Sequence, residues 1–143
     1  MAHVAKYYTK FFLSVMNKEV DLDTDTLKVM LTTSSYTPSQ HTHRYKSDVT
    51  NEITGTGYTA GGVALSSVTV GNTSGVVTID AADSQWTGAT FTARNAVLYD
   101  ASPGSDSTRP LIGYIAFDAD IPVTSSTFTI TWDSSGIATV SVS

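Results

Sequence analysis

Two segments far apart in the chain alternate with period two. Leu27, Val29 and Leu31 alternate with Lys28, Met30 and Thr32, and Phe128, Ile130 and Trp132 alternate with Thr127, Thr129 and Thr131. Successive strand side chains point to opposite faces, so this spacing selects half-buried strands over helices. A similar texture recurs at 63–70, 75–82, 91–99, 111–117 and 137–142, punctuated by Gly-, Asn-, Ser- and Asp-rich turns. The fold expected is mainly β, an antiparallel β-sandwich or barrel of about seven or eight strands. Three hairpins are predicted: 63–70 with 75–82 around Gly71–Gly75, 91–99 with 111–117, and 127–132 with 137–142 around Asp133–Gly136.

One segment breaks the pattern. Val4, Tyr7, Tyr8, Phe11, Phe12, Val15 and Met16 recur at threes and fours, opposite Lys6, Thr9, Lys10 and Ser14. This spacing predicts an N-terminal amphipathic helix within 1–18, packed on its own sheet or against a partner. The expected organisation is a single domain over 1–143, with a β domain over 26–143 and long loops at 34–52 and 100–110. The first loop holds His41, His43, Arg44, Tyr45 and Lys46, so it reads as an excursion that carries contacts.

Charge narrows the partners. The net charge is -5; residues 53–143 hold seven Asp against only Arg94 and Arg109. An acidic field repels phosphate backbones, so no nucleic-acid partner is expected. No membrane partner is expected either, because no apolar run approaches the ~20 residues of a spanning helix, and the sequence reads as having neither signal peptide nor anchor. The absence of cysteine excludes disulfides and thiolate metal sites.

Candidate chemistry falls short at each place. Asp21, Asp23 and Asp25 match the first, third and fifth positions of a calcium loop, but Thr26 stands where glycine is needed and Thr32 where glutamate is needed, so a solvated turn is expected. His41 and His43 are the metal candidates, but two imidazoles do not close a site unless several copies meet on a symmetry axis. No serine sits in a G-x-S-x-G elbow, and Asp118 and Asp120 read as turn residues before Pro122. Gly55, Gly57, Gly61 and Gly62 lack the lysine of a phosphate loop and read as backbone shape. Trp86, Trp132 and Tyr58 could stack on sugar rings, although the alternation around Trp132 assigns it to the core. No catalytic residue, cofactor or resident metal is therefore expected.

Several segments together resemble a family of small virion proteins of tailed bacteriophages. They are Thr24–Leu31, Glu52 with Gly55-Thr-Gly-Tyr-Thr-Ala-Gly-Gly62, Trp86 with Ala89–Phe91, Ala93-Arg-Asn-Ala-Val-Leu-Tyr99, Pro110–Tyr114, and Phe128–Asp133 with Gly136 and Ile137. The resemblance implies a non-enzymatic virion component, most plausibly a capsid decoration (cement) protein on the exterior of the head, made in the host bacterial cytoplasm. It implies the major capsid protein as partner and a homo-oligomer, with a trimer favoured. The alternative is a tail-tip or fibre module that binds a host surface glycan. The residues expected to touch neighbours are Tyr7, Tyr8, Phe11 and Phe12 on the helix, and His41, His43, Arg44, Tyr45 and Lys46 in the loop.

Overall fold

The computed structural model describes residues 4–142 and is mainly β, with eight strands, one α-helix and a short 3-10 helix at Lys46–Asp48. The strands are β1 (Val4–Tyr7), β2 (Leu27–Thr32), β3 (Val63–Ala64), β4 (Thr69–Thr73), β5 (Val76–Asp80), β6 (Ser84–Asp100), β7 (Leu111–Ile130) and β8 (Ala138–Ser141); the helix is α1 (Thr9–Met16). They form two antiparallel sheets, ordered β1-β7-β6-β2-β3 and β4-β5-β8. Neither sheet closes on itself, so the arrangement is sandwich-like rather than a barrel.

The N-terminal segment differs from the expected continuous helix. Residues 4–7 pair with β7, Val4 opposite Ala116 and Tyr7 opposite Gly113, and the helix begins only at Thr9. Period-3.6 apolar spacing over so short a stretch also accommodates a strand followed by two helical turns, and the edge of β7 offers hydrogen bonds that a free helical turn lacks. Met1 to His3 lie outside the described residues.

β6 and β7 are far longer than the predicted strands because β-bulges keep the ladder running through what reads as loop. Asn95 pairs with Ala116 and Ala93 with Ile121, so Phe117–Asp120 lie opposite the single residue Arg94. Arg94 Nη1 meets Asp120 Oδ1 at 3.2 Å across this bulge. Asp118 and Asp120 are thus strand residues, not turn residues.

The predicted pairing of 91–99 with 111–117 is present, and β4 pairs with β5 around Ser74–Gly75. The terminal hairpin is absent. Trp86 pairs with Phe128 and Ser84 with Ile130, while β8 pairs with β5. The Asp133 turn, in which Oδ1 accepts the Ser135 N–H, carries the chain from one sheet to the other instead of folding it back. Alternation shows that a segment is a strand and is silent about which neighbour completes it.

The five-stranded sheet is buried on both faces. Leu27, Val29, Leu31, Ile112, Trp86 and Phe128 belong to a core on the face turned to the smaller sheet. Met30, Val97, Tyr99 and Leu111 form a second core with Tyr8 and Tyr36 on the opposite face. β2 is therefore buried at every position except the partly covered Lys28, more fully than its half-apolar pattern predicts. The cover is the 34–52 segment.

The glycine-rich segment is shape, as expected. Gly62 has φ +78, and a Cβ there would run into the Val29 carbonyl oxygen. Glu52 Oε1 holds the turn by accepting from Tyr58 Oη (2.6 Å) and the Gly61 N–H (2.5 Å). Beyond the short β3, Leu31 still finds partners: its N–H donates to Tyr58 Oη at 3.0 Å and its carbonyl accepts the Ile53 N–H.

Candidate functional site

α1 carries Phe11, Phe12, Leu13, Val15 and Met16 among eight residues, so its apolar groups cannot all share one face. The structure divides them. Phe11 is buried against the first core and Tyr8, just before the helix, is wholly buried in the second. Tyr7 is half-buried, stacked on Phe11 at 5.6 Å, with its hydroxyl donating to the Thr139 carbonyl of β8. Phe12, Leu13, Val15 and Met16 face outward, and Met16 is 81% exposed. Of the four predicted aromatic contact residues, Phe12 alone is exposed, and it stands among aliphatic neighbours that add to the same surface.

The five loop candidates are held within the chain. His41 Nδ1 hydrogen-bonds Thr9 Oγ1 at 2.7 Å, at the start of α1. His43 stacks on Tyr36, and its Nδ1 lies 2.9 Å from the Tyr36 hydroxyl, which in turn meets the Tyr8 hydroxyl at 2.9 Å. Arg44 Nη2 grips Glu19 at 2.9 and 3.1 Å, and its guanidinium lies 4.9 Å from the Tyr45 ring centre. Partial desolvation opposes ionisation of Glu19, but hydrogen bonds from Ser14 and Arg44 and the Arg44 charge prevail and hold its carboxyl below the usual range. Tyr45 Oη also reaches Glu19, and Lys46 Nζ meets Asp106 at 2.7 Å. The segment is a clasp joining α1, the outer core and the 100–110 loop. Tyr36 and Glu19, which anchor it, carry no spacing signal in the sequence.

The two histidines direct their Nδ1 atoms to different partners, His41 to Thr9 and His43 to Tyr36. Among the described residues no three His, Asp or Glu side chains are grouped to hold a metal ion. Asp21, Asp23 and Asp25 form the expected local turn: Asp21 Oδ1 accepts the Asp23 N–H and Asp25 Oδ2 the Asp21 N–H.

The sugar-stacking candidates are engaged as well. Trp86 is 2% exposed and packs on Phe128. Tyr58 is half-buried with its hydroxyl committed to Glu52 and Leu31. Trp132 is only half-buried, on the rim of the core rather than inside it as expected. It lines an apolar cleft of about 850 Å³ that lies between the sheets and is bordered by their edge strands, β1 and β8.

No family model, curated protein or solved structure matches this chain.

Proposed function

We propose that this chain is a non-enzymatic structural component of a tailed-bacteriophage virion, a decoration protein that binds the outer surface of the head and stabilises contacts between capsomers. The observation that carries the reading is the outward apolar face of α1, where Phe12, Leu13, Val15 and Met16 stand exposed on a β body that is otherwise threonine-rich and acidic. Contiguous exposed apolar side chains cost solubility unless a partner covers them, and a capsid shell is such a partner. The clasp from His41 to Lys46 supports the same reading, since it ties the first turn of α1 to the body and so makes the helix a rigid attachment point. The sequence resemblance supplies the particle context and the major capsid protein as the surface to be covered. A trimer on a local threefold axis would present three such helices.

The test is to mix purified protein with expanded, undecorated capsids and image them. Added density over the shell is expected with the wild type, and it should disappear with the double variant Leu13→Glu/Met16→Glu, whose altered side chains are exposed and whose fold is retained by circular dichroism. A bare shell at saturating wild-type protein overturns the reading, and label at the tail end of intact virions would favour the tail-tip alternative instead.

A further inference from the structure

On the other side of the molecule from the apolar cleft, in the second core's half of the fold, a polar pocket of about 610 Å³ opens beside Tyr99. Lys28 reaches it from β2, Lys46 from the 3-10 helix and Arg109 from the end of the 100–110 loop. Three of the chain's eight Lys and Arg side chains therefore converge on one cavity of a protein with net charge -5. Two carboxylates also line it, and both are engaged. Asp106 bridges Lys46 (2.7 Å) and Arg109 (2.9 Å), and Glu52 accepts from Tyr58 and the Gly61 N–H.

Three cations against two carboxylates leave an excess of one positive charge. Among the described residues Lys28, which is half-buried, makes no ion pair or side-chain hydrogen bond, and the Arg109 Nη2 group has no hydrogen-bond partner. A half-buried ammonium that no carboxylate contacts attracts an anion. The cavity is much larger than a bare oxyanion and falls in the range of small-molecule sites. Ser102 and Thr26 also line it, and their hydroxyls suit a polar ligand rather than hydrocarbon.

We propose that this pocket binds a sugar-sized polyhydroxy ligand bearing one acidic group, a carboxylate or a phosphate, with Lys28 as the direct partner of the anion and Arg109 as the second donor. Lys46 lies 5.7 Å from the Tyr99 ring centre and, held by Asp106, forms the wall rather than the anion contact. The inference is independent of where the protein sits on a particle.

Titration of the isotope-labelled full chain, followed by amide chemical shifts, tests this with four probes: glucuronate, glucose 6-phosphate, glucose and inorganic phosphate. The expected result is saturable shifts at Lys28, Gly61, Ser102 and Arg109 with one or both acidic sugars, none with glucose, and weaker binding of inorganic phosphate. Whichever acidic sugar binds more tightly identifies the anion. Lys28→Ala should weaken binding about tenfold or more, the loss of one charge-assisted contact. Lys18→Ala, which removes the same charge from the exposed end of α1, should not. Lys28→Gln keeps the side-chain stem and serves in its place if the alanine variant does not fold. The proposal is overturned if neither acidic sugar shifts these amides, if glucose or inorganic phosphate binds as well as the acidic sugars, or if binding survives loss of Lys28.

Discussion

The carboxyl of Asp100, wholly buried at the end of β6, accepts the Ser102 N–H through Oδ1 at 2.8 Å and adjoins the carboxyl of Asp25 at the entrance to β2. Two adjoining carboxyls repel each other unless one keeps its proton. Burial above all, and then the adjoining Asp25, push the Asp100 carboxyl up to about 6, against the opposing pull of the Ser102 N–H.

A carboxyl raised in the folded state stabilises the fold while it stays protonated. The contribution is whole below the ordinary value of 3.8 and is lost as pH rises through about 6. Asp100→Asn escapes that loss, because the amide keeps an acceptor for Ser102 and carries no charge beside Asp25. Thermal melts should show the variant and the wild type close together near about pH 4, with the variant the more stable by about pH 7. A variant that is less stable than the wild type at neutral pH would contradict this.

Gly62 and Gly71 should respond oppositely to alanine. Gly62 combines φ +78 with direct contact against the Val29 carbonyl, so Gly62→Ala is expected to cost more than about 4 kcal/mol or to prevent folding. Nothing lies within 4 Å of a Cβ at Gly71, and Gly71→Ala should stay within about 0.5 kcal/mol. Urea midpoints measure both.

Tyr58→Phe removes one oxygen that serves as both acceptor and donor. The Leu31 N–H and the Glu52 carboxylate each lose a partner, at a cost of about 1–3 kcal/mol. Hydrogen exchange at the Leu31 amide should accelerate more than at Val29, whose strand partner in β3 is untouched.

The two tryptophans should separate clearly. Trp86→Ala opens a cavity in the first core and should cost about 3–5 kcal/mol. Trp132→Ala, at the half-buried rim of the cleft, should cost about 1–2 kcal/mol. Equal losses would mean that the cleft is closed in solution.

Much of the β architecture is readable from local pattern. The period of two located β2 to within one residue at each end, and the glycines of 55–62 were recognisable as a bend because no lysine or helix follows them. Boundaries failed where bulges intervene: Asp118, Ala119 and Asp120 have turn composition, yet the ladder resumes at Ile121 and extends the strand to Ile130. The N-terminal strand failed for a related reason, since residues 4–7 are strand only because the edge of β7 is there to receive them.

The sequence by itself determined the class of the fold, because side-chain period is a property of neighbouring residues and two periods cannot be confused over a long run. Only the tertiary structure decided which strands pair, that the 34–52 segment covers a second core, and that its basic and aromatic residues bind Glu19, Tyr36 and Asp106 instead of standing free. Those outcomes depend on contacts between residues far apart in the chain, and neither spacing nor composition encodes the partner of a long-range contact. The division of α1 into a buried Phe11 and an exposed Phe12, Leu13, Val15 and Met16 belongs with them, since a short helix that is apolar on several sides takes its inward face from whatever it packs against.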